Sequence, residues 1–287
     1  MKLMVIPSSL ECIKLSKDYV DAYLIGIKDM CVNTCFSVDI EEISKIKEII
    51  GDRELFINLN KNMFNDDLDN LKDILIKLND YDIKGVFYYD VAVVSLYNKI
   101  NVNYDLVWAS EHATTNYHTI NYWSKFNVNY CMISTDITSN EIIEIKKNTN
   151  VKLIVPIFGY QSMFVSKRHI VKNYLEYFKL SDNSKINYME KEGKTYPIVD
   201  NNLGTEVYTN NILNGFKEYH NFKNNKIDYC LLNSFNIDDD KFIKVLDIVN
   251  NIDDNLESYE QINKMFDNVD TGFLYRETIA KVKKNDK

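Results

Sequence analysis

Short, nearly continuous apolar runs recur along the chain, each bounded by polar or turn-forming residues. Eight of them read as strands: 2–6 (KLMVI), 21–26 (DAYLIG), 54–60 (ELFINLN), 84–90 (KGVFYYD), 105–110 (DLVWAS), 129–134 (NYCMIS), 151–158 (VKLIVPIF) and 227–233 (IDYCLLN). Runs that do not alternate apolar with polar are the pattern of parallel strands covered on both faces. The gaps carry helical spacing instead. Ile40, Ile43, Ile46 and Ile49–Ile50 form one face behind an Asp39…Glu42 capping box. Leu68, Leu71, Ile74–Leu75 and Leu78 form a second, and Thr138 with Glu141 opens a third that continues through Ile142 and Ile145. Phe242, Val245–Leu246 and Val249 line a fourth, behind the acidic stretch Asp238–Asp240 that suits a helix N-terminus. Asn116 is placed to cap a helix over 117–126. The gap at 91–103 is predicted to hold only a short turn.

Eight strands alternating with helices predict an α/β fold, a (β/α)8 TIM-like barrel, with a doubly wound open sheet as the alternative. The chain, 1–287, is then a single barrel domain. Between the seventh and eighth strands, about 159–226, the interval is too long for a loop. It is predicted to be an α+β insertion. Residues 166–180 read as a helix capped by Ser166, with Ile170, Val171, Tyr174, Leu175 and Phe178 on one face. Residues 185–200 read as a hairpin around Glu192–Gly193, and 203–209 as a further strand. The insertion leaves from the C-terminal face of the barrel, where such enzymes build their sites, and is expected to act as a lid or specificity element.

Composition narrows the class. At 45% hydrophobic and 26% charged, the 287 residues are not those of a disordered chain. No apolar run approaches the roughly 18–20 residues of a membrane helix. Glu11 interrupts the N-terminal stretch before a secretory segment develops, so a cytoplasmic protein with no membrane partner is expected. A net charge of −8 argues against a generally basic nucleic-acid coat and leaves room for a local basic patch. Glycine and proline number only 8 and 3, which disfavours long linkers. Five cysteines do not describe a disulfide framework. Cys31 and Cys35 are four apart, but no second pair and no nearby histidine answers them, so they are expected to be thiols rather than metal ligands.

In a barrel, polar residues at the C-terminal strand ends face the site. Here these are Asn58 and Asn60, Asp90, Glu111 with His112, Ser134 with Asp136, and Asn233. Glu111 and Asp90, ending separate strands, are a candidate acid–base pair, with Asp136 a third candidate carboxylate; the alternative for each is capping the next helix. His112 and His118 are six apart, which is not the spacing of a helical metal site, so no metal is assigned. Lys167, Arg168 and His169 fall in the first turn of the predicted helix, where the macrodipole already places positive charge. Cations beside free N–H groups there suit a small anion, phosphate or carboxylate. No GxSxG, HExxH, GxxxxGK[ST] or GxGxxG occurs, so standard protease or nucleotide-loop chemistry is not indicated.

Five of these segments, in order, resemble signatures of the peptidase U32 (collagenase-like) family. EHATTNYHTINYW (111–123) is similar to its Glu/Gln-x-Thr-x-x-Asn segment, and STDITSNEI (134–142) stands where it has a Ser-Arg-Glu-Leu-Ser-type motif. VPIFGYQSMFVSKRHIVKNYLEYF (155–178) resembles its His-Gly…Met-Phe-x-Ser-x-Arg segment, and TYPIVDNNLGTEVY (195–208) and TGFLY (271–275) match two more. The resemblance implies Met163, Ser166 and Arg168 as ligand-side residues, with Asn58, Asn116 and Lys167 beside them. Longer members carry a four-cysteine iron–sulfur cluster and hydroxylate nucleobases of transfer or ribosomal RNA, or ubiquinone precursors, without oxygen; prephenate is the implied hydroxyl source for those acting on RNA. This chain departs from that pattern: residues 159–178 contain no cysteine, Thr135–Asp136 replaces Arg-Glu, and Phe158 replaces the histidine before glycine. The resemblance therefore implies a cluster-less accessory or partner subunit, without a cofactor of its own. It would help form 5-hydroxyuridine at the transfer-RNA wobble position beside a longer, cluster-bearing paralogue, and meet transfer RNA through that complex. The alternatives are a peptidase, as the family name says, and a non-catalytic barrel binding a small anion.

Overall fold

The computed structural model describes residues 1–182, 184–251 and 255–276. Strands β1 (Lys2–Ile6), β2 (Ala22–Ile27), β3 (Glu54–Leu59), β4 (Gly85–Tyr88), β5 (Asp105–Trp108) and β6 (Val128–Met132) are each followed by one helix. These are α1 (Leu10–Ser16), α2 (Ile43–Ile50), α3 (Leu68–Lys77), α4 (Val91–Tyr97), α5 (Tyr117–Trp123) and α6 (Ser139–Lys147). Strand β7 (Lys152–Ser166) leads into the insertion: helix α7 (Ile170–Phe178) and strands β8 (Asn187–Lys191), β9 (Lys194–Asn201) and β10 (Gly204–Asn214). After the short helix α8 (Tyr219–Asn224), β11 (Tyr229–Asn233) pairs in parallel with both β7 and β1, closing an eight-stranded parallel barrel. Helix α9 (Asp239–Asn251) follows. Closure decides between the two predicted architectures in favour of the TIM-like barrel.

Alternation is hidden inside the apolar runs. Met4, Leu24, Phe56, Phe87, Tyr130, Ile154 and Leu231 fill the barrel, while their neighbours Leu3, Val5, Ile25, Leu55, Ile57, Val86 and Leu153 pack outward against the helices. Phe56 sits edge-on to Phe87, Tyr130 and Tyr229 at 5.7–5.8 Å. Below these rings, the Tyr229 hydroxyl donates to Glu54 (2.7 Å), which also pairs with Lys2, and Lys152 donates to Tyr130 (3.0 Å). The polar ends of the interior are thus satisfied at the N-terminal face. The helix signals hold locally too: Glu42 accepts from the Asp39 N–H (3.0 Å), Asn116 from Thr119 (2.9 Å) and Glu141 from Thr138 (2.7 Å).

Two sequence expectations fail for the same reason, context beyond the local window. The gap at 91–103 holds α4, two turns of helix capped by Asp90 rather than a turn alone. The helix predicted over 166–180 begins only at Ile170, with His169 at its cap. Residues 159–166 remain extended because they pair antiparallel with β10, and backbone bonding to a partner strand outweighs local helical spacing. Gly159 is the residue that lets β7 leave the barrel: its φ is +105°, and a Cβ there would collide with the carbonyl oxygen of Asn233. The hairpin lies where expected, and its two-residue turn, Glu192–Gly193, has φ of 54° and 73° as a type I′ turn requires.

Candidate functional site

At the C-terminal mouth of the barrel, residues distant in sequence converge on two carboxyls. Glu111, in the loop after β5, accepts from the Asn33 side-chain amide (2.6 Å). Glu206, on β10, is 5% exposed and accepts from the Tyr208 hydroxyl (2.8 Å) and the Asn201 amide (2.9 Å). The backbone N–H of Asn33 also faces Glu206, so one residue tethers both carboxyls. Asn33 achieves this with a left-handed backbone, φ 56°, which asparagine tolerates better than most residues. Its remaining amide oxygen is buried and has no hydrogen-bond partner among the described residues.

Burial pushes the Glu111 carboxyl above its ordinary range, against the pull of Ser162, Asn33 and His112, and Glu206 pushes it further. Burial likewise raises Glu206, opposed by its bonds from Tyr208, Asn201 and Asn33. Tyr208 is held well above the usual phenol value by burial and then by Glu206, so it stays a donor. The arrangement can accept hydrogen bonds from a ligand and keep a proton on a buried carboxyl, the requirement for general acid–base work near neutrality.

Two cavities meet at Asn33 and Glu111. A narrow one of about 60 Å3 descends between Phe158, Tyr160, Tyr208 and Asn233. A broad one of about 910 Å3 opens outward between Phe64, Tyr89, Met163, Phe164 and Lys167. Lys167 reaches into it with its ammonium 3.2 Å from the centre of the Phe64 ring. Insertion and barrel therefore build the broad cavity together.

The other expected residues distribute as follows. Asp90 is a cap: its two oxygens accept from the N–H groups of Ala92 (2.8 Å) and Met63 (2.9 Å), which removes it from the proposed pairing with Glu111. Asp136 lies 3.0 Å from His112 Nδ1 at the rim, both largely exposed. Asn116 caps α5 at the surface. Asn58 is buried, donates to Thr34 (2.6 Å), and keeps an unpartnered amide oxygen. Met163 lines the broad cavity, while the Ser166 hydroxyl accepts from the Arg168 N–H (3.2 Å) and Arg168 is exposed. The helix-start anion site is corrected: Asp200 accepts from the Lys172 N–H (3.0 Å) and lies 2.8 Å from His169, while Thr205 accepts from the Ile170 N–H (2.8 Å). The chain's own carboxylate occupies the place proposed for a ligand.

Sequence reading missed Asn33, Glu206 and Tyr208. The signal for Glu206 was an acid within the strand-like stretch GTEVY, since acids are rarely buried without a purpose. Asn33 lay within MCVNTC, a segment read for its thiols. Cys31 is buried, its thiol pushed up to about 12, and Cys35 is exposed and donates to the Pro7 carbonyl (3.2 Å). Among the described residues, no three side chains of Cys, His, Asp or Glu are grouped to hold a metal. The donor set does not fit an iron–sulfur cluster.

The peptidase family U32 model matches residues 9–278. The chain belongs to peptidase family U32. This U32 protein is 25% identical, over 304 aligned positions, to the tRNA hydroxylation protein P2 of Bacillus subtilis, covering 97% of this chain and 98% of that relative. Among solved structures, it is similar to a U32 peptidase (TM-score 0.45, 13% identity, 55% of this chain and 68% of that one). It is also similar to 3-hexulose-6-phosphate synthase (TM-score 0.47, 9% identity, 93% of this chain and 100% of that one). No helix among the described residues is long and apolar enough to cross a membrane.

Proposed function

We propose that this U32 protein serves tRNA hydroxylation as the accessory or partner subunit of a longer paralogue, in formation of 5-hydroxyuridine at the wobble position. The observation that carries the reading is end-to-end similarity to the tRNA hydroxylation protein P2. The mouth supports it. A cavity of about 910 Å3 has room for a nucleobase, and aromatic walls at Phe64, Tyr89 and Phe164 suit a planar ring. Glu111 and the free oxygen of Asn33 offer acceptors to a ring N–H, and Lys167 offers the cation for an anionic group. Any cluster chemistry would belong to the paralogue, because the thiols here do not converge.

Nucleoside mass spectrometry of bulk transfer RNA tests the proposal, comparing a strain lacking the gene with its complemented parent. Loss of 5-hydroxyuridine-derived nucleosides, restored by complementation, is the expected result. An unchanged profile, in a strain lacking the longer paralogue as well, would end the proposal. One observation favours the peptidase reading, the pair of buried carboxyls. It requires that gelatin cleavage by the purified chain disappear in Glu111→Gln.

A further inference from the structure

Charge is unevenly distributed over the molecule. The chain carries −8 overall, yet residues 167–194 hold seven Lys or Arg against four Asp or Glu, a local net of 7 − 4 = +3. Nine lysines and arginines of the barrel pair with carboxylates, for example Lys2–Glu54, Lys28–Asp39 and Lys146–Asp228. None of the seven in 167–194 lies within ion-pair distance of a described carboxylate.

The same segment leaves aromatic rings uncovered. Helix α7 has no buried residue. Val171 and Leu175 rest half-buried toward the insertion, while Tyr174, Tyr177 and Phe178 are 56%, 80% and 54% exposed. Their rings touch one another, at 4.7 Å for Tyr174–Phe178 and 4.9 Å for Tyr177–Phe178, so they form one continuous surface. At the N-terminal end of the segment, Lys167 stands in the wall of the cavity that opens on Glu111.

We infer that the outer face of the insertion, centred on α7, is a contact surface for single-stranded RNA, leading a strand toward the barrel mouth. The inference rests on the tRNA reading above and adds to it direct contact by this chain. Unpaired cations track phosphates, and exposed rings stack on unpaired bases, which a duplex keeps out of reach. A protein partner fits less well, because buried protein interfaces are depleted of lysine, whereas lysine is the main charge here. The overall charge of −8 then serves discrimination: RNA is repelled elsewhere and held only where the local sign reverses.

The test is fluorescence anisotropy of the full chain with a labelled anticodon stem–loop RNA and a fully paired duplex of the same length. The chain should bind the stem–loop and prefer it to the duplex. Tyr174→Ala with Tyr177→Ala should weaken binding about tenfold or more, while the corresponding Tyr→Phe pair stays within about twofold. Tyr→Leu at both positions should lose binding like alanine, since it keeps the apolar face and removes the stacking rings. Lys172→Gln with Lys179→Gln should flatten the log–log salt dependence by about one. All four positions are exposed, and unchanged thermal melting verifies the fold of each variant. No binding by the parent chain, binding indifferent to these changes, or self-association that the alanine pair abolishes would each overturn the inference. The two readings separate: RNA binding lost in the variants but an unchanged nucleoside profile in the deletion strains retains the surface and rejects hydroxylation. Altered nucleosides with binding indifferent to the variants do the reverse.

Discussion

Phe56 and Tyr177 are both aromatic, yet the first is fully buried at the centre of the barrel and the second is 80% exposed on α7. The same contrast holds for charge: Lys28 in the barrel is paired with Asp39 and Glu42, and Lys172 in the insertion with no described carboxylate. In the barrel, rings and charges find partners within the chain. In the insertion they are presented outward. The barrel is thereby expected to hold the stability of the molecule, and the insertion its interactions, with the carboxyl pair at their junction.

Four measurements can break or sharpen that contrast. Phe56→Ala should cost about 3–5 kcal/mol, read from urea unfolding, because it removes a ring packed against three others. A loss below about 1 kcal/mol would mean that the barrel interior is not the dominant core. At the junction, Gly159→Ala should destabilise by about 1–3 kcal/mol, the range for a forced backbone conformation. A neutral effect would show that β7 does not need its turn out of the barrel.

The third measurement is the pH dependence of melting. The folded chain holds the carboxyls of Glu111 and Glu206 above their ordinary range through burial, so folding favours their protonated forms. That contribution is full below the ordinary carboxylate pKa and is lost as pH rises through the raised folded value. Melting temperature of the parent should therefore decline across this window relative to Glu206→Gln, whose profile should be flatter. Parallel curves would show that Glu206 does not titrate differently in the folded chain. The smallest effect belongs to Tyr177→Ala, within about 0.5 kcal/mol of the parent. A larger cost would show that α7 is packed more firmly than its exposure implies.

The strands were legible because each is a local apolar run bounded by polar residues. Predicted 2–6 coincides with β1, and 54–60 and 105–110 differ from β3 and β5 only at an end. The type I′ turn at Glu192–Gly193 was legible for the same reason, since its chemistry lies in two adjacent residues. Glu111 was found because the barrel assigns strand ends to the site. Its assumed companion Asp90 was not distinguishable from a cap by sequence, as an aspartate before a helix serves either purpose.

The sequence alone therefore determined the element order, the barrel architecture and the place of the insertion, all of which follow from hydrophobic spacing within short windows. Tertiary structure alone decided that Ser166 ends a strand and not a cap, since its extended form depends on pairing with Thr205 across the insertion. It alone brought Asn33, Glu111 and Glu206 together from three separate segments of the chain. It also decided that the apolar face of α7 would remain open. Burial and convergence depend on which surfaces meet after the chain closes, and that information is not local to any stretch of residues.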